Sequence, residues 1–178
     1  MQKRIMFVVS LFLIFSTFAL AQRDKSQRPS PPAQAQCSFS DGKTISIDYS
    51  SPRMKGRKIF GGLVPYGEVW RTGANEATTF VTNTDLKVEG KTIPAGNYTI
   101  FTVPNADKWS LIVNQKTGEW GIPYKYEGDE LVRVDMKVSR TSAPVENFTI
   151  TFEQGSSACT MKLSWENTEA WVKFAEGK

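Results

Sequence analysis

Leu131 to Val138 reads LVRVDMKV, Asn147 to Glu153 reads NFTITFE, and Thr160 to Glu166 reads TMKLSWE. In the first, Val132, Val134, Met136 and Val138 fall on one side of an extended chain, and Arg133, Asp135 and Lys137 on the other. Phe148, Ile150 and Phe152 share a face in the second. Met161, Leu163 and Trp165 do so in the third. Period-2 alternation of this kind marks half-buried antiparallel strands. Outward from these segments the same reading predicts strands near 37–40, 43–50, 77–82, 85–89, 96–103, 108–114, 130–138, 146–154, 157–166 and 169–175, with a short one at 68–72. Turn residues separate them: Asp41-Gly42, Glu89-Gly90, Pro94-Ala95-Gly96, Pro104 to Asp107, and Gly155-Ser156-Ser157. No segment sustains a helical 3.6 period over three turns. The expected fold is all-β, an antiparallel β-sandwich of jelly-roll-like kind, with a closed β-barrel as the alternative.

The chain before these strands reads differently. Lys3 and Arg4 precede an apolar run from Ile5 to Phe18, and Ala19-Leu20-Ala21 is a small-x-small cleavage pattern. Residues 1–21 are therefore expected to be a secretory signal peptide, too short in its apolar part to span a bilayer. Residues 22–36, QRDKSQRPSPPAQAQ, contain no large apolar side chain and are expected to form a disordered, Pro- and Gln-rich leader. Residues 37–178 are then a single β domain, exported to the periplasm or the cell exterior, with no integral membrane segment once the signal is removed.

Charge narrows the partners. The chain holds 22 Lys and Arg against 18 Asp and Glu, net +4. Lys3 and Arg4 belong to the signal, and Arg23, Lys25 and Arg28 with Asp24 to the leader. That leaves 17 basic and 17 acidic residues from Cys37 onward. A folded part without basic excess excludes a nucleic-acid partner. The two cysteines, Cys37 and Cys159, both lie in expected strands of an exported domain and point to one disulfide. Such a bridge contributes about 3–4 kcal/mol by chain entropy; two buried free thiols are the alternative.

The stretch Ser51 to Thr78, SPRMKGRKIFGGLVPYGEVWRTGANEAT, breaks the alternation. Gly56, Gly61-Gly62, Pro65 with Gly67, and Gly73 bend it repeatedly. Among the bends sit Arg53, Arg57 and Arg71, the aromatics Tyr66 and Trp70, and Asn75-Glu76. Arginine and tryptophan are favoured at recognition surfaces. A second irregular loop at 119–124 adds Trp120 and Tyr124. Together these residues form the expected ligand surface. Each also has a plainer role: the basic run as a solvated loop, Trp120 as a lid on the sandwich, Arg71 as the partner of a buried Glu76. Trp109, Trp165 and Trp171 lie in alternating strands and are expected in the core.

The chain has no histidine. This removes Ser-His-Asp and Cys-His catalysis and the commonest zinc ligand. The acidic turn Glu127 to Glu130 lacks calcium-loop spacing. No metal and no cofactor is expected. The remaining catalytic option is a carboxylate pair, Glu68 with Glu76, as used in glycoside hydrolysis.

MKGRKIFGGLVPYGEVWRTGANEATT at 54–79, VEGKTIPAGNYTIFTVPNADKWSLIVN at 88–114 and EWGIPY at 119–124 resemble a bacterial family catalogued as domain of unknown function 2911. The resemblance runs from about Cys37 to Phe174. It implies an exported single-domain β protein and carries no catalytic assignment. Three functions stay open at this point: an envelope binding module for a small molecule, glycan or envelope protein, a glycan hydrolase, or a structural domain without a ligand.

Overall fold

A computed structural model describes residues 24–155 and 157–177. The expected signal peptide lies outside the described residues. Among the described residues nine strands form one antiparallel sheet: β1 (Pro32–Ser38), β2 (Thr44–Ser50), β3 (Thr78–Thr82), β4 (Leu86–Val88), β5 (Lys91–Ile93), β6 (Gly96–Val103), β7 (Trp109–Asn114), β8 (Glu130–Gln154) and β9 (Ala158–Glu176). Their spatial order is β1-β2-β3-β6-β7-β8-β9-β4-β5. β1 pairs only with β2, and β5 only with β4. The sheet therefore has two free edges, which overturns the closed-barrel alternative.

The sandwich comes from two overlong strands. β8 has 25 residues. A straight strand of that length would run roughly 80 Å, far beyond a domain of this size. It bends instead. Its first part pairs with β7 and its second with β9, and the register shifts between Arg140, Val145 and Thr149. Pro144 sits within this irregular stretch, where a missing N–H is tolerated. The bend folds one end of the sheet over the other. Ile150 N donates to Tyr49 Oη at 3.0 Å, and Phe148 N to the Pro52 carbonyl at 2.9 Å. Cys37 of β1 and Cys159 of β9 are bonded, with Cα atoms 6.2 Å apart, so the disulfide ties the two layers together.

The core follows the alternation. Val132, Val134 and Met136, then Phe148 and Ile150, then Met161, Leu163 and Trp165 are buried, while Arg133, Asp135 and Lys137 are exposed. One strand departs from expectation. Glu166 has φ +53, and beyond it the inward set changes parity to Ala170, Val172 and Phe174. Trp171 is thereby turned out of the core. It lies opposite Lys137, whose Nζ sits 4.7 Å from the indole centroid.

The N-terminal stretch also differs from the sequence reading. Residues 32–36 are not a disordered leader but the first part of β1, paired with Ile47 to Ser50 and neighbours. Ala33 and Ala35 pack against the core. Small alternating side chains suffice at a sheet edge, where one side of the strand needs no partner, and prolines are tolerated there. Before it, Lys25–Gln27 form a 3₁₀ turn whose start is capped by Asp24. The segment 68–72 is not a strand; only Trp70 makes a bridge, to Thr102 of β6. Among the described residues no helix is long and apolar enough to cross a membrane.

Candidate ligand-binding cleft

The block 51–78 is anchored at three buried apolar side chains, Ile59, Phe60 and Val64. A tight double turn brings them together: Val64 N donates to the Ile59 carbonyl at 2.9 Å, and Leu63 N to the Lys58 carbonyl at 3.1 Å. Gly62 is required there, since a Cβ would stand 2.6 Å from the Lys58 carbonyl oxygen.

Trp70 fixes the far end of the block. Its N–H donates to the Thr102 carbonyl at 2.7 Å, and its Nε1 to the Gly73 carbonyl at 3.0 Å. The indole stacks on Trp165 at 5.9 Å and meets Phe148 edge-on at 4.9 Å, with Phe60 at 6.0 Å. Trp70 is thus rooted in the core and only its outer part reaches solvent. Thr72, two residues on, is fully buried with φ +55. That is a costly conformation for a β-branched residue. It is held by the Thr102 hydroxyl at 3.1 Å and by Thr78 Oγ1, which donates to the Thr72 carbonyl at 2.8 Å.

Between Trp70 and Thr72 stands Arg71. Its Nη1 donates to the carbonyls of Asn75 and Trp120, the latter at 3.1 Å. Its guanidinium lies 4.9 Å from the Trp120 ring centroid. Burial draws its pKa below the ordinary value, with the charge of Glu76 opposing. The 119–124 loop is brought here by Ala77 N, which donates to the Glu119 carbonyl at 3.1 Å. Gly121 is pressed against the Arg71 stem: a Cβ would lie 3.2 Å from Arg71 Cβ and 2.8 Å from Ala77 Cβ. Tyr124 packs on Phe101 at 4.9 Å and donates to Glu130 Oε1 at 2.6 Å; Arg133 grips the same carboxylate with Nε and Nη2. Burial first, and the Glu130 hydrogen bond second, push the Tyr124 pKa above its ordinary value. It remains a neutral donor across the physiological range.

Block and loop enclose a cleft of about 690 Å³. Arg57, Glu68, Trp70, Arg71 and Tyr124 line it, so five of the residues singled out in the sequence meet on one surface. Tyr66 and Trp120 stand exposed beside it. Three others do not line it. Arg53 turns into the corner, donating to the Ser51 carbonyl at 2.9 Å and to Ser51 Oγ at 2.8 Å. Asn75 Nδ2 donates to the Ser30 carbonyl at 3.0 Å. Glu76 pairs with Arg28 at 2.7 Å and Lys25 at 3.4 Å. The expected Arg71–Glu76 ion pair is therefore not formed. Arg28 and Lys25 capture Glu76 because the N-terminal segment is ordered over it. The Arg28 guanidinium holds the Glu76 pKa at about 2.

The expected Glu68–Glu76 catalytic pair is not assembled in the cleft, which Glu76 does not line. The second carboxylate there is Glu127, from the acidic turn that carried no chemistry in the sequence. Leu63, Ile122, Pro123 and Ser30 also line the cleft unannounced. Leu63 and Ile122 had one legible signal, as apolar residues set in turn-forming segments. No cluster of three or more potential metal ligands occurs among the described residues.

The sequence model of a family described as "Protein of unknown function (DUF2911)" matches residues 30–174. Its start before β1 agrees with that strand's place in the domain. No curated protein and no solved structure was found to match the chain. With the match covering most of its length, the chain belongs to the DUF2911 family of proteins of unknown function.

Proposed function

We propose that this domain is an exported binding module of the cell envelope, and that the cleft between the 51–78 block and the 119–124 loop is its ligand site. One observation carries the reading. The exposed large hydrophobics among the described residues, Leu63, Tyr66, Trp120 and Ile122, are between 41% and 55% exposed, and all come from these two segments. A purely structural corner would bury such side chains; clustered exposure beside a cleft marks an interaction site. The cleft volume lies in the range of small-molecule sites. Export is read from the N-terminal segment and accords with the disulfide.

A thermal-shift screen of small molecules, glycans and short peptides tests the binding reading. Ligands should raise the Tm of the wild type and fail to raise that of Leu63→Glu or Ile122→Glu, both surface substitutions. No hit, or equal hits on wild type and variants, would count against the cleft. N-terminal sequencing of the protein from its host tests export: the mature chain should begin at Gln22.

A further inference from the structure

We propose that the cleft takes a monocarboxylate on an apolar body, gripped by the Nε/Nη2 edge of Arg71; this rests on the binding reading above and names its ligand class. A guanidinium carries five N–H donors in a rigid plane. In Arg71 both Nη1 donors are spent, on the carbonyls of Asn75 and Trp120. Nε and Nη2 donate to no acceptor among the described residues. Among the described residues no carboxylate lies within ion-pair distance of the group; Glu76, five residues on, is taken by Arg28 and Lys25.

The free edge is the one that presents two parallel N–H groups to the two oxygens of a carboxylate. It is also held in place. Two carbonyls fix Nη1, the Trp120 ring covers a face at 4.9 Å, and the side-chain stem is wedged against Gly121. A ligand therefore meets a fork already oriented, with little side-chain entropy left to lose.

The rest of the lining selects among anions. Arg57 and Arg71 are balanced by Glu68 and Glu127. Arg57 spends Nε and Nη2 on the carbonyls of Met54 and Arg53, at 3.0 and 2.6 Å. The cleft thus offers one free Nε/Nη2 edge, that of Arg71, in a lining without net charge. A phosphate dianion would bring a second negative charge toward two glutamates, whereas a single carboxylate brings none. Val69, Ile122 and Pro123 supply apolar wall beside the fork. Two sources present this chemistry: a free fatty or aromatic acid, and the C-terminal carboxylate of a short peptide ending in an apolar residue.

The test is calorimetric titration of the processed full chain with dodecanoate, with N-acetyl-phenylalanyl-leucine, with the methyl ester of each, and with phenyl phosphate. At least one acid should bind about tenfold or more tighter than its ester and than phenyl phosphate. Arg71→Lys should lose a similar factor for the acid and none for the ester, because lysine keeps the charge and lacks the fork. Dodecanoate alone identifies the free acid, the peptide alone the C-terminus, and both the shared carboxylate; each supports the proposal. The acid–ester comparison is made on wild type, so it stands even if the variant fails to fold. Esters binding as well as acids, or the phosphate binding tightest, overturns the carboxylate and leaves the binding reading intact. The same holds if only uncharged ligands from the wider screen occupy the cleft. Failure of every probe and every screened ligand overturns both.

Discussion

Replacing Cys37 and Cys159 together by alanine removes the covalent tie between edge strand β1 and β9. The two residues are 122 apart in sequence. At that separation the chain-entropy relation gives about 5 kcal/mol, more than the 3–4 expected from the sequence and near the upper limit of what disulfides deliver. For a domain of this length each kcal/mol corresponds to about 2–4 °C, so the double variant should melt roughly 10–20 °C below wild type. Urea titration should show the reason. The slope m should rise, because the unlinked denatured chain exposes more surface. Wild type reduced with dithiothreitol should fall by a similar amount, since it loses the link and keeps both sulfurs. A double variant melting within about 2 °C of oxidised wild type would refute the argument. A loss seen with alanine but absent on reduction would assign the effect to packing around two buried side chains instead.

Three further outcomes follow from particular contacts. Gly121→Ala adds a Cβ at 2.8 Å from Ala77 Cβ and 3.1 Å from Phe101 Cε1, at φ +91; it should cost about 2–4 kcal/mol by denaturant unfolding, and a near-wild-type midpoint would contradict the packing described. Starting the chain at Cys37 removes most of β1 together with the Arg28–Glu76 pair, and should lower the Tm by several degrees; an unchanged Tm would return residues 24–36 to the status of a leader. Glu76 titrates at about 2 in the folded protein against 4.5 ordinarily. The stability it contributes is therefore complete above pH 4.5 and lost as pH falls through 2. With the side chain 43% exposed, solvent screening limits it to about 1 kcal/mol or less. The stability difference between wild type and Arg28→Ala should be constant above pH 5 and close toward pH 2; a difference that persists at pH 2 would show that Arg28 acts through packing.

Much of the fold was legible because alternation is local. Each of LVRVDMKV, NFTITFE and TMKLSWE shows its buried face without reference to any other segment. What alternation does not reveal is where a strand ends when no strong breaker intervenes. Hence β8 and β9 each read as two strands, divided at bends that the backbone absorbs as irregular register. The Trp171 error has the same origin. Trp165 and Trp171 are six apart and share a face in a regular strand, and only the backbone at Glu166 separates them. Only the end of β1, from Cys37 on, reads as a strand, because Pro32 to Gln36 carry no large apolar residue, and edge position excuses that lack.

The site was half legible. Glycines, arginines and aromatics marked the block, and five of the named residues do meet in the cleft. Pairings across long sequence distance were not readable. Arg28 taking Glu76, and Trp120 together with Asn75 taking Arg71, depend on how the N-terminal segment and the 119–124 loop fold back onto the block.

The central claim is that the cleft is a ligand site, and the indole N–H resonances of the tryptophans test it most directly. The chain has 5 tryptophans. Trp120 stands beside the cleft, Trp70 lines it, and Trp171 lies on the outer face of β9 as an internal control. Nitrogen-15 spectra should be recorded while the protein is titrated with pooled small carboxylates, saccharides and short peptides. Binding in the cleft predicts saturable shifts of the Trp120 and Trp70 indole signals with Trp171 unmoved. Shifts confined to Trp171, or none at saturating ligand, would contradict it.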